Sequence, residues 1–303
     1  MDGAIQRDAN QTAPIARQTE DVKPKLMVIA NAGMRASKRV EVDSAVTTLR
    51  RQVRSIDVVS TACADEATAA ADRAVADGVY AIIAAGGDGT VHSVLQAVAG
   101  TSTALGIIAA GTGNDIAGAL FPNGLSYDFA SVRTIDAVRC DNNWFVGVAS
   151  IGFDARVNER ANAMHRLKGR LKYDVAMLAE LARLKSDRFV VSLDGVTQEI
   201  DATFIAVANT STYGGGMHIA PGAQANDGLL DVVVVGKVTR RHLLSVFPRV
   251  YRGTHVSHRA VSTLRCKTFV VESDSGMSYA DGEPFVRTPA QFECVPEALH
   301  LLY

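Results

Sequence analysis

Residues 79–98 read Val79-Tyr80-Ala81-Ile82-Ile83-Ala84-Ala85-Gly86-Gly87-Asp88-Gly89-Thr90-Val91-His92-Ser93-Val94-Leu95-Gln96-Ala97-Val98. The apolar run before the glycines suits a parallel strand covered on both faces, and Val91, Val94, Leu95 and Val98 then recur at helical spacing. Between them lies a turn of three glycines and one acid. Glycines let the backbone approach a ligand and take positive φ, and a helix behind them points free N–H groups and a positive dipole end at the same place. That arrangement favours a phosphate. Asp88 would repel a bare phosphate, so its presence makes more sense with a divalent cation between the two. Taken alone, the stretch also reads as an ordinary strand-to-helix turn.

The pattern continues outward in both directions. Residues 25–30 form a short buried strand ended by Asn31-Ala32-Gly33, and Val40, Val42, Ala45, Val46 and Leu49 mark a helix. A strand at 56–60, an Ala-rich helix at 65–76 and a strand at 104–109 follow. This alternation predicts an α/β N-terminal domain with an open parallel sheet over residues 24–131, helices lying on both faces. Ligands of such sheets sit beyond the C-terminal strand ends, where Asn31, Thr61, residues 86–90 and residues 111–115 all fall. From about residue 132 runs of strands take over, at 138–148, 189–193, 196–200, 204–208, 229–235, 261–272, 283–286 and 292–295, with turns at Asp141-Asn142-Asn143 and Asp194-Gly195. They predict a β-rich antiparallel sandwich over residues 132–297, interrupted by helices at about 156–184 and 240–252, with a cleft between the two domains. Residues 298–303 can return to pack on the first domain, and residues 1–23 read as a disordered tail.

Composition narrows the class. The chain has 303 residues, 48% of them apolar, and a formal net charge of −1, so it can build a large core and has no global attraction to nucleic acid. Its four cysteines, Cys63, Cys140, Cys266 and Cys294, form no C-x-x-C pair and read as free thiols of a reducing cytoplasm. The first 24 residues carry no apolar core of a signal peptide, and no apolar run approaches the roughly 20 residues of a membrane-spanning helix. A cytoplasmic protein with peripheral membrane association is expected.

The second glycine loop, Gly111-Thr112-Gly113-Asn114-Asp115, follows the strand at 104–109. Thr112 can hydrogen-bond a phosphate oxygen, Asn114 can bridge the loop, and Asp115 is either a helix cap or part of a metal-water network. Further on stand Gly152-Phe153-Asp154-Ala155, Tyr213-Gly214-Gly215-Gly216-Met217, Asp227-Gly228-Leu229-Leu230-Asp231 and Asp281-Gly282-Glu283. In order and spacing these motifs resemble the catalytic domain shared by diacylglycerol, sphingosine and ceramide kinases, above all the bacterial soluble diacylglycerol kinases. The likeness runs from about residue 25 to the C-terminus.

The resemblance implies an NAD kinase/diacylglycerol kinase-like fold and ATP-dependent phosphorylation of a lipid hydroxyl. By position, Asn31, Thr61, Gly86, Gly87, Asp88, Gly89, Thr90, Val91, His92, Thr112, Asn114 and Asp115 would hold ATP. Asp88, with Asp115 and Asp136, would organise water around a catalytic Mg²⁺, and Glu283 would be the general base. Asp227, with the carbonyls of Gln224 and Leu229, would bind a structural Mg²⁺. Phosphoryl transfer asks mainly for alignment, charge neutralisation and one base, which these residue types supply. Without the resemblance, Asp281-Gly282-Glu283-Pro284 is a plain β-turn and Asp227-Gly228 a turn leading into a strand.

At the lipid end, residues 156–188 are rich in Lys and Arg, with Leu167, Leu171, Val175, Leu178, Leu181 and Leu184 at roughly helical spacing. Such a helix either rests on an anionic bilayer or packs its apolar face on the sandwich. Lys168 is placed to meet a lipid head group, and Arg35, Lys38 and Arg39 to serve the same anionic surface or ATP. Family members usually read Asn-Pro-x-Ser-Gly in the first loop, whereas this chain has Asn31-Ala32-Gly33-Met34-Arg35. The expected partner is a lipid substrate at a membrane surface, with no nucleic acid and a homodimer left open. Diacylglycerol is the leading acceptor; another lipid, an NAD kinase and a non-catalytic nucleotide or lipid sensor are the competing readings.

Overall fold

The computed structural model describes residues 24–121, 131–164, 170–273 and 276–303. The first half alternates β1 (Lys25–Asn31), α1 (Ala36–Leu49), β2 (Ser55–Thr61), α2 (Ala64–Ala76), β3 (Ala81–Gly86), α3 (Asp88–Val98), β4 (Ala104–Ala109) and α4 (Asp115–Leu120). Its strands are parallel in the order β2-β1-β3-β4. The order reverses between β1 and β3, so the crevice opens between Asn31 and Gly86. Residues of β3 alternate between the two faces: Ile82 packs with α2 and α3, and Ile83 with α1, both fully buried. Each such side chain contributes about 1.5–3 kcal/mol when buried. In α1 the buried face is Val42, Ala45, Val46 and Leu49, whereas Val40, expected on that face, is 68% exposed. α3 buries Val91, Val94, Leu95 and Val98, and it ends where Ala99 turns extended and the Gly100 N–H bonds to Ala298.

The second half comprises β5 (Val132–Cys140), β6 (Asn143–Phe145), β7 (Val148–Gly152), α5 (Phe153–Ala163), α6 (Arg170–Ala182), β8 (Asp187–Leu193), β9 (Val196–Ala208), β10 (Leu230–Gly236), α7 (Arg240–Val250), β11 (Val261–Cys266), β12 (Thr268–Glu272), β13 (Met277–Ala280), β14 (Glu283–Arg287) and β15 (Ala290–Leu302). The pairings among its strands are antiparallel, and their inner faces enclose a core holding Phe145, Phe189, Phe269 and Phe292. β15 also reaches the first half, where Leu301 stands opposite Leu105 on β4 in parallel register.

Three expected elements differ. The strands at 196–200 and 204–208 are one, β9, which pairs with β8 along its first part and with β7 along its second. The run at 261–272 is two strands: β11 pairs with β10, and β12 with β8 and β15. The helix expected at 156–184 is the pair α5 and α6, joined through Arg160 and Arg156 to the buried Glu180. α6 therefore turns Ala176 and Glu180 inward, and its Leu171, Val175 and Leu178 lie exposed. The residues 1–23 read as a tail lie outside the described residues.

Candidate active site

The two glycine loops touch through their backbones. A Cβ on Gly111 would stand 2.3 Å from the Gly87 Cα, so only glycine permits this approach. Asn114, at φ 60°, closes its own loop by accepting the Gly111 N–H at 2.9 Å and donating to the Gly111 carbonyl at 3.2 Å. In the first loop the Thr90 hydroxyl occupies the space a Cβ on Gly86 would need. Thr90 and Val91 donate to the Gly87 carbonyl as the first intrahelical bonds, which leaves the amides of Asp88 and Gly89 ahead of the ladder.

Three carboxyl groups converge on this contact. Asp88 accepts the Ile116 N–H at 2.9 Å, and its second oxygen and one of Asp115 flank Gly113, at 3.0 and 3.4 Å from where a Cβ would be. The Glu283 carboxylate lies 2.9 Å from the Cβ position of Gly89. Burial pushes the Asp88 carboxyl up, and the charges of Asp115 and Asp281 add to this against two backbone hydrogen bonds. Burial likewise raises Glu283, with Asp88 adding and His92 and Lys172 opposing. Asp88 and Asp115 are carboxylate donors of the kind that suits a hard ion such as Mg²⁺.

Glu283 is aimed by the turn before it. Asp281 and Gly282 both have positive φ, 52° and 88°, the backbone of a tight Asp-Gly hairpin between β13 and β14. The Asp281 carboxylate accepts the N–H groups of Val146, Gly147 and Val148 at 3.1, 3.0 and 3.2 Å, locking the hairpin to the β6–β7 connection. The turn is thus both a plain hairpin and the mount of a carboxylate.

A cavity of about 410 Å³ is lined by Asn31, Thr61, Gly87, Gly89, Thr90, His92 and Glu283, among others. A second, about 300 Å³, takes in Asn31, Arg35, Lys38, Gly86, Gly87 and Thr112. Arg35 and Lys38 therefore stand beside the glycine loops, on the side suited to phosphate. Several expected residues have other work. Val91 has its side chain in the core and its N–H in the helix, so it has nothing left for a nucleotide. Asn114 is consumed within its loop. Arg39 donates to the Ala32 carbonyl at 2.8 Å, and Asn31 Oδ1 accepts the Gly33 N–H at 2.7 Å. These two bonds brace the first loop that lacks the family's proline. Lys168 lies outside the described residues.

Asp136 and the expected structural metal site are also different from expectation. Asp136 is buried and accepts N–H groups from Gly228 at 2.7 Å and Glu297 at 3.0 Å, tying a loop to β15 rather than facing the glycine loops. Asp227 Oδ1 accepts the Leu229 N–H at 3.1 Å, and Oδ2 is paired with the Arg265 guanidinium, whose Nε lies 3.5 Å from Asp231. With both oxygens engaged and a cation already in place, Asp227, Gln224 and Leu229 do not fit a divalent ion here. Arg265, on β11, is distant in sequence and carried no signal.

Two contributors had no role assigned from the sequence. The Gly215 N–H donates to Asp115 at 2.7 Å, bringing the Gly214-Gly215-Gly216 turn of the second half onto the first. Tyr173, on α6, is raised by burial and by the charges of Glu283, Asp115, Asp154 and Asp88. The motif around Gly215 does not say locally which residue it meets, because the contact joins the two halves of the chain.

Comparison with known proteins agrees along the chain. The diacylglycerol kinase catalytic domain matches residues 25–140, and the YegS C-terminal NAD kinase beta sandwich-like domain matches residues 147–303. A diacylglycerol kinase of Mycobacterium tuberculosis (strain ATCC 25618 / H37Rv) is 43% identical over 269 residues, covering 84% of this chain and 87% of that protein. A protein of Xanthomonas axonopodis pv. citri (strain 306) named "Probable lipid kinase YegS-like" is 30% identical, covering 88% and 93%. A crystal structure of a diacylglycerol kinase from Bacillus anthracis str. Sterne shares the fold with a TM-score of 0.69 at 18% identity, covering 94% of this chain and 98% of that one. With both halves and their order matched, the chain belongs to the diacylglycerol kinase family of lipid kinases, in its YegS-like form, and is a phosphotransferase.

Proposed function

We propose that the protein transfers the γ-phosphoryl group of ATP to the primary hydroxyl of diacylglycerol, giving phosphatidic acid and ADP. The observation that carries this reading is the Glu283 carboxylate set against Gly89 at the mouth of the glycine loops. Its raised pKa makes it a better proton acceptor than a free glutamate once ionised. The glycine amides and the cations Arg35 and Lys38 orient the phosphates. Glu283 accepts the hydroxyl proton as the hydroxyl oxygen bonds to the γ-phosphorus; the bond to the bridging oxygen breaks, and its electron pair leaves with ADP. Magnesium, when bound, neutralises phosphate charge, with Asp88 and Asp115 holding it directly or through water.

The test is purified protein with γ-labelled ATP and a panel of diacylglycerol, monoacylglycerol, ceramide, a sphingoid base and NAD. Label in phosphatidic acid is expected. Label in another lipid would move the acceptor, and label confined to NADP would overturn the lipid reading.

A further inference from the structure

Gly89, His92 and Gln96 share one face of α3 at spacings of three and four residues, so Gln96 lies two turns, about 10 Å, behind the loop that Glu283 faces. Its amide reaches out of the helix. Gln96 Nε2 donates to the Trp144 carbonyl at 2.8 Å, and Gln96 Oε1 accepts the Trp144 N–H at 2.9 Å. One side chain thus exchanges two hydrogen bonds with one residue's backbone, as a neighbouring strand would. Among the described residues β6 pairs with β5 alone, and Gln96 meets Trp144 as a second partner. The indole reinforces the contact, since a Cβ on Gly100, just past the end of α3, would meet the Trp144 ring at 3.5 Å.

Two to four residues beyond Trp144, the N–H groups of Val146, Gly147 and Val148 hold the Asp281 carboxylate, and Asp281 stands two residues before Glu283. The Glu283 carboxylate returns to Gly89, 2.9 Å from its Cβ position. The path from Gly89 through α3, Gln96, Trp144 and Asp281 to Glu283 therefore closes on itself. His92 fills its middle, with Nε2 3.3 Å from the Gln96 amide and Nδ1 3.9 Å from an Asp281 oxygen. Within this ring the Gln96–Trp144 pair is the hydrogen-bonded step from the first half of the chain to the second.

We infer that Gln96 is a positioning residue: by clamping Trp144 to α3, it sets the distance between the glycine loop at the start of that helix and the Glu283 carboxylate. Removing the amide leaves the Trp144 N–H and carbonyl without these partners, and the β6–β7 connection shifts to satisfy them, taking Asp281 and Glu283 with it. Both glycine loops lie within the first half and keep their geometry. A displacement of about 1 Å at the reacting atoms is enough for a loss of about 100-fold in rate. The inference deepens the kinase reading and rests on Glu283 as the base.

The experiment compares the full-length wild type with Gln96→Met, which keeps the side chain's length and removes the amide, on γ-labelled ATP and the acceptor that the lipid panel labels. The kcat should fall at least about tenfold while ATP affinity in equilibrium binding stays within about twofold. Amide hydrogen exchange should quicken at Val146, Gly147 and Val148. In the Glu283→Gln background Gln96→Met should cost no further rate, because a residue that acts through Glu283 has nothing left to position. Thr103→Val removes a buried hydrogen bond to the Val79 carbonyl inside the first half, so it should lower the thermal midpoint and leave kcat unchanged. Where Gln96→Met does not fold, Gln96→Glu, which keeps the acceptor for the Trp144 N–H and loses the donor, takes its place in each comparison. Unchanged kcat in the folded Gln96 variant, an equal loss in Thr103→Val, or a full further loss on top of Glu283→Gln would overturn the inference and leave the kinase reading standing. Normal turnover in Glu283→Gln alone would remove the base, and the inference with it.

Discussion

Two pairs of acidic residues have opposite surroundings. At the cleft, burial raises both Asp88 and Glu283, nearby acids adding to each shift and His92 and Lys172 opposing it at Glu283. Near the start of β10, Asp136 and Asp227 have their oxygens taken up by backbone N–H groups and by Arg265. The second group is complete as it stands and therefore holds the fold together. The first holds carboxyl groups whose burial favours the protonated form, at a cost in stability when they are ionised. Whether an acid has its partners inside the chain separates the structural carboxylates from the functional ones more reliably than its motif does.

The sharpest way to break this contrast is Glu283→Gln, which keeps size and hydrogen bonding but removes the base. Turnover should fall by about 10²–10⁴-fold with ATP affinity nearly unchanged in equilibrium binding, and normal turnover would remove Glu283 from its role. Asp88→Asn comes next. A loss of about 100-fold or more in rate is expected, together with a higher thermal midpoint for the ligand-free protein. The sign follows from linkage: the folded state holds a proton that the unfolded chain has already lost, so ligand-free stability falls as pH rises from the ordinary aspartate value through the raised one. A lower midpoint in Asp88→Asn would show that the carboxylate is structural after all.

The pH profile is a smaller effect. Log kcat/KM should fall as pH drops through the raised pKa of Glu283, with its inflection above the ordinary glutamate value, and in Asp88→Asn that inflection should move down because one raising charge is gone. An unmoved inflection would uncouple the two groups. Smallest is Arg265→Gln. The Arg265 side chain is 46% exposed, so solvent screening limits the loss to about 1 kcal/mol by denaturant unfolding, with kcat unchanged. EDTA should leave the thermal midpoint of the wild-type chain where it was; a drop of several degrees would restore a divalent ion to Asp227.

Local patterns carried the first half almost entirely. Apolar runs of six residues at β3 and β4 can only be strands covered on both faces, and the glycines that follow them are needed wherever two loops meet backbone to backbone. The second half was less legible. Whether residues 200–204 continue a strand depends on β7 standing beside β8, and the break between β11 and β12 depends on which sheet receives each. α6 was left open by the sequence: its leucines have the spacing of a buried face, yet they lie exposed because α5 covers the opposite side through Arg156, Arg160 and Glu180.

The sequence by itself determined the parallel α/β half, the antiparallel half, both glycine loops and the Asp281-Gly282-Glu283 hairpin, because each depends on periodicity or on backbone angles set by neighbouring residues. Only the tertiary structure decided that Glu283 meets Gly89, that Gly215 meets Asp115, and that Arg265 rather than an ion balances Asp227. Those contacts join residues 38 to 194 positions apart. Their energy comes from charges and hydrogen bonds that exist only once the sheets have placed the loops together, and no local pattern encodes such a meeting.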